Sequence, residues 1–431
     1  MSEPFRIGIA GLGTVGIGVV KILRQNAELI EIRAGRPIEI VSISARDKTK
    51  DRGINLSPYK WIDNLQDLAE DDSLDAVVEL IGGAEGAAPD LVRSALAKGR
   101  HVVTANKAMM ALHGFELARL AEDSKVSLMF EASVAGGIPV IKAAREGLAA
   151  NRITGVYGIL NGTCNYILTQ MRETKRNFNE VLEEAQEKGY AEADPSFDID
   201  GIDAGHKLSI LAAILFGTKP DFESVSLTGI RQLTSSDIVF AGELGYKIKL
   251  LGIAKNMQGG VIQSVEPCLV PVHSPLGAIE DSYNAVFIEG DFVETPLFTG
   301  RGAGQGPTAS AVVADIIDLV RGARLPTFGI PALQLKEPRR MDAGSTVSCY
   351  YLRLNVFDQP GVIADISSIL RDLSISIESL LQRGRDPGQP VPVVMTMHET
   401  THADMLRACA LIEKLDCVVE KPCLMRIETE L

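Results

Sequence analysis

The chain has 431 residues, which is enough for two or three domains rather than a single hydrophobic core. Its 43 basic and 56 acidic side chains leave a net charge of −13, which argues against a broad surface for nucleic acid or anionic membranes. Six cysteines without C-x-x-C spacing are typical of reduced thiols in a cytoplasmic protein. The N-terminal run IGIAGLGTVGIGVV is broken by glycines, and LSILAAILFG is about half of the roughly 20 residues that span a bilayer. We therefore expect neither a signal peptide nor a membrane span.

The first third of the chain alternates strand-like and helix-like segments. The strand-like segments are apolar on both faces and read RIGIAG, IEIVSISA, DAVVELIG, HVVTAN and SLMFEASV. Buried strands separated by helices predict an α/β fold with a doubly wound parallel sheet. We place this first domain at residues 1–135.

A glycine motif follows the first predicted strand directly. The sequence GIAGLGTVGIGVV places G-x-G-x-x-G at Gly11, Gly13 and Gly16, where a helix is predicted to begin. The first glycine permits a tight turn, the second lets the backbone approach a pyrophosphate, and the third lets helix and strand pack closely. The helix N-terminus then binds the pyrophosphate. In this context the motif predicts a Rossmann-type dinucleotide-binding domain rather than a glycine-rich turn.

The end of the second predicted strand bears on which dinucleotide binds. A site that prefers NAD usually places a carboxylate there to bind the ribose 2′-hydroxyl. The sequence instead reads SISARDKTK, with Arg46 before any acid and Lys48 shortly after it. Both side chains suit a 2′-phosphate, so NADP is favoured, with NAD still possible. The alternative is that both are solvated loop charges.

Two further domains are predicted after the sheet. Residues 136–301 combine helices near 138–150, 163–174, 178–188 and 203–216 with strand-rich sequence near 247–298, which indicates an α+β substrate-binding domain. Residues 326–349 are rich in proline and charge and are predicted to be a linker. Residues 350–431 follow a βαββαβ order, which is typical of a small regulatory domain.

An acidic stretch, GYAEADPSFDIDGIDAGHKLSIL, leads into a strongly apolar helix. Asp203 and Lys207 are one turn apart on the same face as part of its apolar stripe. Such a pair is usually a surface salt bridge, but surface pairs point away from the core. A partly desolvated lysine beside a carboxylate can instead act as a general acid or base. The preceding Glu192, Asp194 and Asp198 suit a substrate ammonium group.

Two other motifs have both a functional and a simpler interpretation. HETTH, from His398 to His402, matches the letters of a zinc-protease motif, but His398 ends a predicted strand and Thr400 or Thr401 is predicted to cap the next helix. We therefore predict no zinc site. Cys164 in NGTCNYIL lies in the first turn of a predicted helix, where a thiol pKa is lowered. A nucleophilic cysteine is possible there, although a small buried side chain is the simpler interpretation.

Six of these segments together resemble the homoserine dehydrogenase family across residues 1–325. They are GLGTVG, TANK, FEASVAGGIPVI, LNGTCNYIL, GYAEADPSFDIDGIDAGHKLSILA and GRGAGQGPTASAVV. Residues 350–427 resemble an ACT domain, an amino-acid-sensing module. Because no aspartate kinase segment precedes the dehydrogenase motifs, the chain resembles the monofunctional form of the family.

The resemblance implies NAD(P)-dependent interconversion of L-homoserine and L-aspartate 4-semialdehyde, a step toward threonine and methionine. Lys207 is then the proton donor or acceptor, assisted by Asp203 and Lys107, and Glu192, Asp203 and Asp198 bind the substrate. The resemblance also implies a monovalent-cation site, usually sodium, a homo-oligomer, and L-threonine as effector. The helix near 308–321 is expected to complete the first domain, over about residues 302–325. The implied cofactor-binding residues are Gly11, Gly13, Thr14, Val15, Gly16, Arg46, Lys107, Gly189 and Gly304, and the implied cation ligands are Glu131 and the backbone oxygens of Val134, Gly136 and Ile138.

Two rival functions remain open at this point. A thiol-dependent semialdehyde dehydrogenase would use Cys164 as its nucleophile and would need phosphate or another acyl acceptor. A non-catalytic amino-acid sensor would bind nucleotide without turnover. Oxidation of homoserine with NADP at alkaline pH distinguishes these functions.

Overall fold

The computed structural model describes residues 3–383 and 389–429. Residues 384–388 and 430–431 of the predicted C-terminal domain lie outside this range. The chain divides into two compact units. Unit 1 comprises Met1–Gly162, Asp203–Val225 and Tyr283–Pro338, and unit 2 comprises Thr163–Ile202, Ser226–Ser282 and Arg339–Leu431.

The N-terminal region contains six strands and five helices. The strands are β1 (Phe5–Ala10), β2 (Ile38–Ser44), β3 (Lys60–Trp61), β4 (Ala76–Glu79), β5 (His101–Thr104) and β6 (Leu128–Met129). The helices are α1 (Thr14–Gln25), α2 (Ala27–Ala34), α3 (Asp67–Glu70), α4 (Ala87–Ala97) and α5 (Lys107–Asp123).

The middle of the chain continues with seven helices and six strands. The helices are α6 (Val140–Lys142), α7 (Gly162–Thr174), α8 (Phe178–Glu187), α9 (Ser196–Ile199), α10 (Ile202–Phe216), α11 (Ser235–Glu243) and α12 (Gln305–Val320). The strands are β7 (Ile153–Ile159), β8 (Val225–Leu227), β9 (Tyr246–Met257), β10 (Gly260–Pro271), β11 (Tyr283–Gly290) and β12 (Leu297–Arg301). The C-terminal region then adds β13 (Val347–Phe357), α13 (Val362–Asp372), β14 (Ile377–Gln382), β15 (Pro390–Thr401), α14 (His402–Ile412) and β16 (Cys423–Ile427).

Unit 1 is built on a six-stranded parallel sheet. Its strand order is β3-β2-β1-β4-β5-β6, and each neighbouring pair is parallel. The chain adds strands toward one edge of the sheet from β1 to β3 and toward the other edge from β4 to β6, so the strand order reverses between β1 and β4, where doubly wound sheets bind dinucleotides. The predicted Rossmann-type sheet is therefore confirmed. The sequence pattern missed β3, because a two-residue strand has no periodicity to detect.

Helix α12 comes from late in the chain and packs in the core of this sheet. Ala309, Val312 and Ile316 are fully buried in the same apolar cluster as Ile7 and Ile9 of β1. The helix lies very close to α1, since a Cβ atom added to Gly18 would be 2.8 Å from the Cβ of Ala309. Only glycine at position 18 permits this approach.

Two segments of unit 1 differ from the sequence pattern. The helix predicted near 138–150 is shorter, because α6 ends at Lys142 and passes into a π-helical turn at Ala143–Gly147. The proline-rich start of the predicted linker is packed rather than solvated: Phe328 is 1% exposed, and its ring lies 5.5 Å from that of Phe130. Proline content predicted an irregular backbone but could not indicate burial.

Unit 2 is built on a mixed sheet with the strand order β9-β10-β16-β13-β15-β14. Only the β10 and β16 pair is parallel within this row, and the other pairs are antiparallel. Helices α13 and α14 cover β13 and β15 around a core that includes Leu352, Ile366 and Met405. The predicted βαββαβ domain is confirmed, and its strand β16 extends the β9–β10 hairpin.

A buried ion pair lies where α11 meets the C-terminal sheet in unit 2. Arg353 Nε donates to Asp237 Oδ1 at 2.7 Å, and the Tyr351 hydroxyl donates to the same oxygen at 3.1 Å. Asp237 also closes a capping box with Thr234 at the start of α11. Helix α11 was not predicted, although the sequence T-S-S-D at Thr234–Asp237 is a helix-start signal.

The remaining expectations concern caps, thiols and membrane spans. Thr401 caps α14 by accepting from Asp404 N, so His398 lies on β15 and not one helical turn from His402. All six cysteines lie within the described residues and none forms a disulfide there, and Cys164, Cys268 and Cys423 are buried. Within residues 3–383 and 389–429, no helix has both the length and the apolar character required to cross a membrane.

Candidate active site

The glycine loop after β1 has the geometry that its motif predicts. Gly11 has φ of +98°, and a Cβ atom there would be 2.5 Å from the Leu80 carbonyl oxygen. A Cβ atom at Gly16 would be 2.1 Å from the Gly11 carbonyl oxygen. Gly13, by contrast, is exposed and has nothing within 4 Å of its Cβ position. The backbone is therefore open at Gly13, immediately before Thr14 and Val15 begin α1.

Gly304 caps the second helix beside this loop. It has φ of +122° and precedes α12 without a side-chain cap. The first residue of α12, Gln305, lies against α1, since its carbonyl oxygen is 2.8 Å from the Cβ position of Gly18 and its side chain accepts from Lys21 Nζ at 3.4 Å. Gly304 is therefore held close to the first turns of α1.

A basic cavity of about 470 Å³ follows β2. Arg52 ties it to the glycine loop, because its Nε donates to the Leu12 carbonyl at 3.2 Å. Arg46 is exposed and is not among the lining residues. Two of the three cations here, Lys50 and Arg52, were not predicted, because they lie beyond the strand end that indicates the ribose site. The polar and aromatic lining residues are Lys48, Lys50, Asp51, Arg52, Ser57, Tyr59 and Trp61.

A buried hydrogen-bond network fixes the start of α5. Glu79 is fully buried at the end of β4 and accepts from Thr104 Oγ1 at 2.6 Å. Asn106 donates to the Gly83 carbonyl at 2.7 Å, and its Oδ1 accepts from Met109 N at 3.1 Å, which caps α5. These bonds hold the backbone on either side of Lys107, the first residue of α5.

Two lysines bind the same buried carboxylate. Lys107 Nζ lies 2.6 Å from Asp203 Oδ1, and Lys207 Nζ lies 2.8 Å from Asp203 Oδ2. The Asp203 side chain is 4% exposed and that of Lys207 is 10% exposed, whereas that of Lys107 is 33% exposed. The three side chains therefore form a compact charged cluster with one ammonium group nearer to solvent.

The segment after β7 contributes two more polar groups to this cluster. Lys207 Nζ donates to the Leu160 carbonyl at 2.8 Å, and Asn161 Nδ2 donates to Asp203 Oδ2 at 2.8 Å. Asn161 was not predicted to be a site residue, although it lies within the family motif LNGTCNYIL. A contact between β7 and α10 depends on tertiary structure and leaves no spacing signal.

The charges in the cluster control its protonation. Burial alone would raise the pKa of Asp203, but the positive charges of Lys207 and Lys107 outweigh it and hold that pKa well below its ordinary value. The neighbouring His206 is 5% exposed, and burial lowers its pKa to about 4. At neutral pH Asp203 is therefore a carboxylate and His206 an uncharged imidazole.

Three of the predicted site residues belong to unit 2. Gly189 follows α8 with φ of +73°, and Glu192 is exposed in the next loop, where its backbone oxygen accepts from Gln186 Nε2 at 3.0 Å. Asp198 lies in α9 and is half-buried. The structure thus brings Lys107, Asp203 and Lys207 together in unit 1 and places the other three in unit 2.

Cys164 is also in unit 2 and is completely buried. It is the third residue of α7, as predicted, and its Sγ lies 3.3 Å from the Asp198 carbonyl oxygen. A thiol without solvent exposure cannot attack a diffusing aldehyde in this conformation. The geometry therefore favours the small-side-chain interpretation.

Glu131 begins the loop that the resemblance assigns to a cation. Its side chain is buried, and its two oxygens accept from Ile141 N at 3.0 Å and Lys142 N at 2.8 Å. Burial, with the nearby Asp315 carboxylate, raises the pKa of Glu131 to about 7. A cavity of about 500 Å³ lies beside it.

The backbone of this loop fits a hard cation. Ala135 lies between Val134 and Gly136 and has φ of +49°, which is unusual for a residue with a side chain. Among the described residues no group of three or more His, Cys, Asp or Glu side chains is arranged to hold a metal, so a site here would rely on one carboxylate and backbone oxygens.

Comparison with known proteins identifies the domains. The model for the homoserine dehydrogenase NAD-binding domain matches residues 11–131, the homoserine dehydrogenase model matches residues 139–317, and the ACT domain model matches residues 350–416. These models cover most of the chain in the order of the observed folds.

Individual relatives agree with this assignment. A homoserine dehydrogenase from Neisseria gonorrhoeae is 44% identical over 433 residues, with 99% of each chain covered. The crystal structure of a homoserine dehydrogenase from Thiobacillus denitrificans has 45% identity and a TM-score of 0.93 over 99% of each chain. A hyperthermophilic archaeal homoserine dehydrogenase mutant in complex with NADPH has 28% identity and a TM-score of 0.64, over 75% of this chain and 99% of its own. With its Rossmann-type sheet and C-terminal ACT domain, the chain belongs to the homoserine dehydrogenase family.

Proposed function

We propose that the chain catalyses NAD(P)-dependent interconversion of L-homoserine and L-aspartate 4-semialdehyde, with Lys207 as the general acid and base. Family membership supports the reaction. The observation that carries the role of Lys207 is its buried ammonium group, which shares the Asp203 carboxylate with Lys107.

The nicotinamide cofactor, when bound, supplies the hydride acceptor or donor for the substrate's C4 carbon. The open backbone at Gly13, the N-terminus of α1 and the adjacent Gly304 fit its pyrophosphate. Thr14, Val15 and Gly189 are proposed as further contacts. These groups bind and orient the cofactor without taking part in proton transfer.

The protein itself transfers a proton to or from the oxygen on the substrate's C4 carbon. In reduction of the aldehyde, the Lys207 ammonium group donates a proton to the carbonyl oxygen as negative charge develops there. In oxidation of the alcohol, Lys207 must be neutral in order to accept the hydroxyl proton. Lys107 places a second positive charge 2.6 Å from the other oxygen of the same Asp203 carboxylate. Lys107, which is more exposed, is proposed to lie near the nicotinamide and the substrate.

Substrate binding is assigned to carboxylates. We propose that Asp203, Glu192 and Asp198 bind homoserine, because a substrate with an ammonium and a hydroxyl group needs acceptors. Asp203 is held deprotonated by its two lysines and is therefore an acceptor at all physiological pH values. The side chain of Asn161 fixes the orientation of this carboxylate.

NADP is the proposed preferred cofactor. The cavity after β2 presents Lys48, Lys50 and Arg52, and a cluster of cations suits a 2′-phosphate better than a 2′-hydroxyl. Arg46, in the same loop after β2, is proposed to add to the positive charge near the 2′-phosphate. The NADPH complex of the archaeal relative supports the proposal.

A cation site, an amino-acid effector and a homo-oligomer are proposed as well. A monovalent cation such as sodium would be held by Glu131 and the carbonyl oxygens of Val134, Gly136 and Ile138. Its charge would offset the cost of burying the Glu131 carboxylate. We further propose that the chain forms a homo-oligomer and that L-threonine is the ligand of the ACT domain. The proposed domains are the cofactor-binding domain (residues 1–135 with 302–325), the substrate-binding domain (136–301) and the ACT domain (350–431).

One assay tests the function against both rivals. Purified enzyme is supplied with homoserine and NADP at alkaline pH, without phosphate, and NADPH formation is measured by absorbance. Turnover under these conditions is the expected result. A requirement for phosphate with formation of an acyl phosphate would indicate a thiol mechanism at Cys164, and NADP binding without turnover would indicate a sensor.

A further inference from the structure

A closed ring of hydrogen bonds lies at the carboxyl ends of β4 and β5. Glu79 and Thr104 are paired across these two strands, and both are 0% exposed. The Thr104 hydroxyl donates to Glu79 Oε2 at 2.6 Å and accepts from Asn106 N at 2.9 Å. Asn106 Nδ2 donates to the Gly83 carbonyl at 2.7 Å, and Glu79 Oε1 accepts from Gly82 N at 3.0 Å, which closes the ring. The ring therefore lies at the end of the sheet where doubly wound folds bind their ligands.

The ring fixes the position of the residue that begins α5. Asn106 is the N-cap of this helix, because its Oδ1 accepts from Met109 N at 3.1 Å, and Lys107 is the next residue. Both polar groups of the Asn106 side chain are therefore used, one to cap the helix and one to reach Gly83. The Lys107 side chain is 33% exposed, and its Nζ lies 2.6 Å from Asp203 Oδ1. The ring thus holds the backbone from which Lys107 reaches the buried carboxylate.

Stability alone does not account for this arrangement. A fully buried carboxyl group such as that of Glu79 is costly to desolvate, and an apolar side chain would avoid the cost. A lysine in the first turn of a helix is also unfavourable, because the helix dipole places partial positive charge there. Lys107 has this position, and α5 has no acidic residue in its first turn to offset it. Two locally unfavourable residues at one place are typical of a functional site.

We propose that Glu79 and Thr104 are positioning residues for Lys107 and act through Asn106. This inference rests on the proposed function, in which Lys107 lies near the nicotinamide and the substrate. A lysine side chain is long and flexible, so the location of its backbone limits where its ammonium group can reach. A displacement of about 1 Å can lower a rate by roughly two orders of magnitude. The ring keeps the start of α5 in one place and so keeps the ammonium group at the Asp203 carboxylate.

A double-mutant cycle between Thr104 and Lys107 tests the proposal. Thr104→Val keeps the shape of the side chain but removes the hydroxyl and both of its hydrogen bonds. We expect it to lower kcat for homoserine oxidation with NADP about tenfold, which corresponds to the loss of one or two hydrogen bonds. In the Lys107→Ala background the same change should have almost no effect, because no ammonium group remains to be positioned. Thr104→Ser, which retains the hydroxyl, should restore most of the activity.

Thr169 on α7 provides a matched control. It is 1% exposed, and its hydroxyl oxygen lies 3.1 Å from Glu280 Oε2 and accepts from Asp281 N at 3.1 Å. Like the Thr104 hydroxyl, it therefore joins a carboxyl group to a backbone N–H group. Thr169→Val should lower the melting temperature, and any change that it causes in kcat should be the same with and without Lys107.

Two outcomes would overturn the assignment. Equal losses of kcat from Thr104→Val with and without Lys107 would mean that the hydroxyl acts independently of the lysine. A lower melting temperature with unchanged kcat would mean that the ring is only structural. If Thr104→Val does not fold, Asn106→Ser replaces it in the cycle, since serine also caps a helix but lacks the amide that donates to Gly83. A wild type that does not oxidise homoserine would defeat the proposed function itself, which separates the two failures.

Discussion

Lys207 Nζ lies 2.8 Å from Asp203 Oδ2, one helical turn away on α10, and both side chains are almost completely buried. A buried ion pair on an apolar helix is costly to desolvate and is weak evidence for a stabilising role. Its location beside Lys107, a third charge with access to solvent, is more consistent with chemistry than with stability.

Replacement of Lys207 tests this directly. We expect Lys207→Ala to lower kcat by about a thousandfold, since general acid–base catalysis contributes roughly 10² to 10⁴. The dissociation constant for NADPH should remain nearly unchanged, because cofactor affinity is assigned to the glycine loop. Lys207→Arg is the matched control: it keeps the charge beside Asp203 but does not deprotonate, so it should also be inactive in homoserine oxidation. If Lys207→Arg still oxidises homoserine at a substantial rate, the role of the lysine is electrostatic and not proton transfer.

Cofactor preference should depend on the cations after β2. We expect Arg46→Asp and Lys48→Asp each to weaken NADP more than NAD, with a change of about tenfold or more in the ratio of dissociation constants, because a charge-assisted phosphate contact is lost and repulsion is added. Lys48 lines the basic cavity and Arg46 does not, so Lys48→Asp should have the larger effect. Lys98→Asp, at the exposed end of α4, controls for net charge. Equal losses for NADP and NAD in both variants would refute the assignment.

His206 should make the fold sensitive to acid. Its pKa is lowered to about 4 in the folded chain by burial, against about 6.5 when unfolded, so the unfolded chain binds the proton first. The stability that neutral His206 contributes is therefore complete above pH 6.5 and is lost as the pH falls toward 4, by about 2 to 3 kcal/mol. We expect His206→Gln to remove this part of the pH dependence when the free energy of urea unfolding is measured from pH 7 to 4. A constant difference from the wild type across that range would contradict the prediction.

The ion pair between Asp237 and Arg353 should be structurally essential. Arg353→Met leaves the fully buried Asp237 carboxylate without its cation, which we expect to cost about 3 to 5 kcal/mol in urea unfolding. The double variant with Asp237→Leu, which buries no charge, should recover most of that loss. If Arg353→Met and the double variant are equally unstable, packing rather than charge explains the effect.

Threonine sensitivity is best tested without truncation. Removing the ACT domain would strip β16 from β10 and expose Asp237, so loss of regulation would be confused with loss of structure. We instead expect Gln359→Ala, in the turn before α13, to raise the threonine concentration for half-inhibition by about tenfold, which corresponds to the loss of one hydrogen bond. The activity measured without threonine should be unchanged. Arg371→Ala, at the exposed end of α13, is the control and should respond like the wild type. Insensitivity of the wild type to threonine would defeat this proposal.

The parts of the site that sequence predicted are those with a local signal. Gly11, Gly13 and Gly16 are spaced by the turn that they form, and Asp203 and Lys207 are spaced by one helical turn. Asn161 has no such spacing, because the Asp203 carboxylate that it contacts is far away in sequence. The packing of α12 against β1 followed only from a resemblance, and the proline-rich sequence carries no signal that Phe328 is buried.

The parallel pairing of β10 with β16 also has a consequence for how the chain reaches its native state. Cys268 pairs with Arg426 and Leu269 with Ile427, so this part of the β10 edge stays open during synthesis until the intervening residues have been made. An open strand edge beside apolar sequence is a site for association with other chains, and contacts so distant in sequence form slowly. Unit 2 is therefore expected to be open to association with other chains at this edge until β16 has been made.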